Sequence, residues 1–119
     1  MVDKIMQVKM SSSDEVVCKK LMIASSFFSR LKGLMFSSEL PRCDGLLISP
    51  CNSIHTFFMA YSLDVIFLDK NFKVIKVLYN LKPWRMSWIY FNSTQVLEMK
   101  AGTLNKKIFE GEILRIIYV

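Results

Sequence analysis

The sequence predicts a single, mainly β domain, built as an antiparallel β-sandwich or a partly closed barrel, and three observations carry that prediction. Runs rich in β-branched and aromatic residues recur along the 119 residues, turn signals separate them at fairly regular spacing, and a single stretch, Ser25 to Lys32, reads as a helix. Length and composition agree. A chain of this size falls within the single-domain range and is expected to bury about 65% of its unfolded surface. With 52% hydrophobic and 22% charged residues it has material for a core and lacks the polar bias of disordered segments.

The elements follow in order. Met6, Val8 and Met10 alternate with polar residues, the polar turn Ser11 to Glu15 follows, and Val17 to Ala24 again has strand character, so residues 1–23 read as an opening hairpin. Ser25 and Ser26 can cap a short helix through Arg30 and Lys32, and Gly33 suits the left-handed residue that closes one. Pro41 and Asp44-Gly45 mark turns before the strand Leu46 to Ile48, which Pro50 ends because it cannot donate to a ladder. Leu63 to Leu68 and Phe72 to Leu78 form a second hairpin around Asp69-Lys70-Asn71, where Asp69 is expected to bond its own backbone. Gln95 to Met99 and Ile113 to Tyr118 complete some seven or eight strands, with turns at Ala101-Gly102 and Glu110-Gly111.

Composition also excludes several classes. No apolar run approaches the roughly 18 to 20 residues of a membrane-spanning helix. The first ten residues, interrupted by Asp3, Lys4 and Lys9, contain no apolar block of a secretory signal. A cytoplasmic location is therefore expected. The three cysteines, Cys18, Cys43 and Cys51, lack paired short spacings and read as thiols in a reducing compartment. The net charge of +6 has a local source: no acid lies between Asp69 and Glu98, while Lys70, Lys73, Lys76, Lys82 and Arg85 fall there among Trp84, Trp88, Tyr90 and Phe91. An anion- or nucleic-acid-binding surface over residues 70–85 is one reading. The plainer one, a solvated strand face followed by a loop whose aromatics complete the core, is preferred, and nucleic acid is not the expected partner.

Several motifs fall in a familiar order. Arg30-Leu31-Lys32-Gly33-Leu34-Met35 fits an Arg-x-x-Gly-Leu-Met signature, followed by Leu40, Gly45-Leu46-Leu47, Phe57-Phe58-Met59 and Leu63-Asp64-Val65-Ile66-Phe67-Leu68-Asp69. Pro83, Val96-Leu97-Glu98, Gly102 and Gly111-Glu112 continue the pattern, so that from about Ala24 to Ile116 the chain resembles domain-of-unknown-function family 192. The resemblance implies a small β-rich sandwich or barrel found mainly in bacteria and archaea, and carries over no particular biochemical activity. Many members carry a signal peptide ahead of the domain, whereas this chain opens almost directly with it. Many also read Trp-Met-Lys-Asn before Pro-Leu-Asp, where this chain has Phe58-Met59-Ala60-Tyr61 before Ser62-Leu63-Asp64, so a role for that lysine does not carry over.

The departure leaves His55, the one histidine, as the distinctive polar residue of the segment Cys51 to Asp69. Three chemistries fit its surroundings. Cys51 could be a nucleophile with His55 as base and Asp64 as orienting carboxylate. Alternatively, Cys43, Cys51 and His55, with Cys18, have the ligand inventory of a structural zinc site but not the spacing of a finger or ribbon. Lastly, His55, Thr56 and Asp64 could form the polar end of an apolar pocket lined by Met35, Phe57, Phe58, Met59 and Phe67. Against all three stands a histidine that ties its loop to the core. Arg30 is expected to pair with Asp64 or Glu98, or else to anchor a ligand. The expected function is a noncatalytic binding or accessory module without a cofactor, whose ligand-contacting residues are His55, Thr56, Met59, Asp64, Arg30 and Met35 and whose partner is a small molecule or peptide. The alternatives are a cysteine-dependent hydrolase or transferase using Cys51 and His55, and the anion or nucleic-acid binder.

Overall fold

The structure, a computed structural model, describes residues 5–24, 44–57, 59–104 and 108–118. Among the described residues, seven strands form one sheet: β1 (Met6–Met10), β2 (Val16–Ala24), β3 (Gly45–Ile48), β4 (Leu63–Leu68), β5 (Val74–Leu81), β6 (Gln95–Lys100) and β7 (Leu114–Tyr118). Their spatial order is β5-β4-β6-β3-β2-β1-β7. Both hairpins expected from the turn residues are present, β1 with β2 and β4 with β5. All pairs are antiparallel but one: β2 and β3 run parallel, with Leu21 opposite Gly45 and Ala24 opposite Ile48. Strand direction across a long connection leaves no mark in a residue pattern, because parallel and antiparallel ladders accept the same side chains.

The sheet curls until its edges meet. Lys73, just before β5, bridges Ile113, just before β7. Val74 N donates to Glu112 O at 2.7 Å, and Leu114 N to Phe72 O at 2.9 Å. This makes the partly closed barrel that the sequence predicts, with edge groups satisfied at the closed end. The expected helix over residues 25–32, together with Arg30, Met35 and Cys43, lies outside the described residues. Among the described residues no helix is long and apolar enough to cross a membrane, a finding that bears only on helices.

The period-2 pattern sorts the core into two layers. Cys18, Leu21, Leu47, Ile66, Leu68, Leu97, Met99 and Leu114 cluster on one face. On the other, Ala24, Leu46, Ile48, Leu63, Val65, Phe67 and Val96 cluster with the loop residues Ile54 and Met59. All six residues of β4 are buried as a result, which is why its sequence is an almost unbroken apolar run rather than an alternating one. The turn after β4 forms as its residues predict: Asp69 Oδ1 accepts from Asn71 N at 2.8 Å and from Lys73 N at 3.0 Å.

Gly45 corrects one expectation. It is the first residue of β3 rather than part of a turn, and it is buried. A Cβ there would meet Cys18 Sγ at 2.8 Å and Met99 Cγ at 3.2 Å, so glycine is required by close approach. Gly45→Ala is expected to cost about 1 to 3 kcal/mol through overpacking. Cys18→Ala in the same background should recover part of that cost. Urea denaturation of the two single variants and the double variant checks the coupling, and strictly additive costs would contradict the contact.

Candidate functional site

The second core layer is covered by chain between strands. Residues 49–62 lead from β3 to β4, residues 82–94 from β5 to β6, and the two stretches pair in antiparallel fashion. Thr56 N donates to Arg85 O at 2.8 Å, Trp84 N to Thr56 O at 2.9 Å, Ser87 N to Ile54 O at 2.9 Å and Tyr90 N to Asn52 O at 2.9 Å. His55 and Met86 form an isolated β-bridge within this ladder. Cys51 N to Thr94 O, 3.0 Å, ties down the far end.

Side-chain hydroxyls supply what the irregular backbone leaves open. Thr56 is fully buried, and its Oγ1 donates to Lys82 O at 2.6 Å while accepting from Arg85 N at 2.9 Å. Ser87 Oγ accepts from Ile54 N at 2.9 Å and donates to Trp88 O at 2.9 Å. Apart from Ser87 to Trp88, these bonds cross between the two loops and give buried backbone groups their partners. Tyr90 turns inward, its ring 4.5 Å from that of Phe67.

The other large residues of this loop point outward. Trp84, Met86, Trp88, Ile89 and Phe91 are all exposed. The aromatic stretch therefore completes the core only through Tyr90, and its remaining rings form a surface. His55 joins that surface: its ring stacks on Phe57 at 4.9 Å and 25°, and Phe57 lies 5.9 Å from Trp84. His55 Nδ1 accepts a long bond from Phe57 N at 3.4 Å. Trp84 has φ 63°, a left-handed conformation that costs a bulky residue about 1 to 3 kcal/mol.

The structure places the expected site residues as follows. The Cys51 thiol donates to Ser53 O at 3.0 Å. Asp64 is buried at the start of β4, where Oδ1 accepts from Asn80 N at 2.9 Å and Oδ2 from Gly102 N at 3.0 Å. Met59 is buried in the layer beneath the loops. Cys18 lies in the opposite core layer from that packed by Cys51. Among the described residues no group of three His, Cys, Asp or Glu side chains could hold a metal ion. Glu98 is fully buried in β6, and the pairing expected of it with Arg30 lies outside the described residues. A cavity of about 620 Å³ opens among Met10, Val17, Cys18, Asp44, Leu104 and Ile108, and none of its lining residues belongs to the two loops.

A small, partly closed β-barrel with a layer of paired loops over one face is the class these observations define. The sequence profile of domain-of-unknown-function family 192, described as "Uncharacterized ACR", matches residues 7–116, and the chain belongs to that family. Uncharacterised relatives from archaea agree. A UPF0127 protein of Pyrococcus horikoshii is 51% identical over 69 residues, covering 54% of this chain and 57% of that protein. Another from Thermococcus sibiricus is 33% identical over 91 residues, 72% of this chain and 58% of that protein. The match with a Pyrococcus abyssi UPF0127 protein, 39% identical over 99 residues, covers 79% and 80% of the two chains. The chain thus spans little more than half the length of the first two relatives. A crystal structure of a protein of unknown function from Novosphingobium aromaticivorans superposes with a TM-score of 0.71 at 22% identity, covering 93% of this chain and 83% of that one. One from Sinorhizobium meliloti, suggested to be a transcription regulator, gives 0.72 at 18% identity, covering 94% and 92%. At these identities the two structures show a shared fold.

Thr56→Val keeps the side-chain shape and removes the hydroxyl on which Lys82 O and Arg85 N depend. A loss of about 1 to 3 kcal/mol is expected from the buried groups left unpaired. Chemical denaturation measures it, and a change below about 0.5 kcal/mol, the range of ordinary surface substitutions, would contradict the role.

Proposed function

We propose that this domain is a noncatalytic binding or accessory module of the cytoplasm, and that it holds an apolar small molecule or peptide against the aromatic surface made by His55, Phe57 and Trp84. The observation that carries the reading is the treatment of Trp84. A large side chain is kept in a costly left-handed conformation, tied by its amide to Thr56 O, with its ring more than half exposed. Strain retained at an exposed residue is a feature of binding sites, where the surrounding structure fixes a side chain for contact. Thr56, Met59 and Asp64 serve from beneath: Thr56 sets the loop pair, Met59 packs under it, and Asp64 fixes the start of β4. A noncatalytic role is favoured because the Cys51 thiol is directed to a backbone carbonyl and both Asp64 oxygens are occupied by backbone amides.

Two measurements test this. Titration of the isotope-labelled full chain with a set of aromatic and apolar fragments should shift the amide resonances of His55, Phe57 and residues 84–86. Shifts confined to other surfaces would contradict the reading. Trp84→Gly should abolish those shifts while leaving stability within about 1 kcal/mol of the starting protein, because glycine relieves the left-handed strain. With p-nitrophenyl acetate as probe, no burst dependent on Cys51 is expected; a burst lost in Cys51→Ser and in His55→Ala would establish the cysteine-dependent alternative instead.

A further inference from the structure

Beyond Trp84 the same loop carries side chains that the aromatic surface does not use. Met86, Trp88 and Phe91 are 70%, 83% and 84% exposed, and Ile89 is 54% exposed. Four large apolar side chains within six residues make a protruding patch, not the isolated exposed residue that any surface tolerates. The patch stands on a fixed base, since Ser87 N and Tyr90 N are bonded to the opposite loop and Tyr90 packs on Phe67. Its electrostatic setting is one-sided. Lys82 and Arg85 are exposed at its edge, and from Lys70 to Leu97 the chain contains no acid.

We propose that residues 82–91 are a peripheral membrane-docking surface, in which Met86, Trp88, Ile89 and Phe91 enter the interfacial region of a bilayer while Lys82 and Arg85 contact anionic phospholipid headgroups. The chemistry fits both zones of the interface. Indole suits the boundary between headgroups and acyl chains, the aliphatic and phenyl groups suit its apolar side, and lysine and arginine meet the negative surface potential. A single nucleic-acid strand would also use cations and rings, but Met86 and Ile89 offer no flat face on which a base can stack. The inference deepens the proposed function, because it rests on the same loop being a contact surface.

Sedimentation of the full chain with vesicles tests it, using phosphatidylcholine alone and phosphatidylcholine mixed with phosphatidylglycerol. Binding is expected to the anionic vesicles and to fall as salt rises from roughly 0.05 to 0.5 M, where screening removes the headgroup attraction. Trp88→Ser/Phe91→Ser should weaken partitioning by about tenfold or more, the scale set by two lost apolar insertions. Lys82→Glu/Arg85→Glu should abolish the dependence on anionic lipid. Far-ultraviolet circular dichroism and thermal melting confirm that both variants fold, and a blue shift of tryptophan emission on vesicles that is reduced in Trp88→Ser/Phe91→Ser reads insertion. Equal, salt-insensitive binding to neutral vesicles would overturn the proposal, as would capture of an oligothymidine strand with no vesicle binding. Loss of vesicle binding with fragment shifts retained at His55, Phe57 and Trp84 would overturn this inference alone; silence in both experiments would overturn the proposed function with it.

Discussion

The two-sided burial of β4 and its neighbour β6 is the constraint on which the rest of the structure depends. Leu63, Val65, Phe67 and Val96 face away from the barrel layer, and among the described residues no second sheet covers them. Among the described residues the loops contribute Ile54, Met59 and Tyr90 to this layer. The relative magnitudes say which force acts. Burial of one such apolar side chain contributes about 1.5 to 3 kcal/mol, whereas one intramolecular hydrogen bond contributes about 0.5 to 1.5. Hydrophobic cover therefore brings the loops onto the sheet. The hydrogen bonds around Thr56 and Ser87 decide their register.

That register has a functional consequence. With Thr56, Ile54 and Asn52 fixed opposite residues 84–90, Tyr90 is turned inward and Trp84, Met86 and Trp88 are turned out. The loop is thus shaped by core packing on one side and presents rings on the other. A loop held this way loses little backbone freedom on binding, because its backbone is already ordered. His55 belongs to this surface through its stack with Phe57 and its bridge to Met86.

Much of the fold was legible because it depends on local rules. The alternation of Met6, Val8 and Met10, the unbroken run Leu63 to Leu68, and the Asp69-Lys70-Asn71 turn each specify an element within a few residues, and the family resemblance carried the order of the motifs. The parallel pairing of β2 with β3 and the close approach at Gly45 were not legible. Both arise from segments distant in sequence, where no periodicity records the neighbour. Within the candidate site, the segment Cys51 to Asp69 and the stretch from Lys70 to Phe91 each stood out, one for His55 and one for its rings and cations. Their mutual pairing had no signal, since it is made mostly by backbone groups and by Thr56 and Ser87, residue types at home in any loop. Asp64, nine residues after His55, suggested a shared site, yet its two oxygens serve Asn80 and Gly102.

The central claim is that the paired loops are a fixed layer of the fold. Native-state hydrogen exchange of the amides of Thr56, Trp84, Ser87 and Tyr90, compared with those of β4 and β6, tests it most directly. The account predicts that these four amides exchange only through openings nearly as costly as those that expose the central strands. Exchange at the rate of an unprotected loop, with β4 and β6 still protected, would show that the loops are not anchored and would contradict the account.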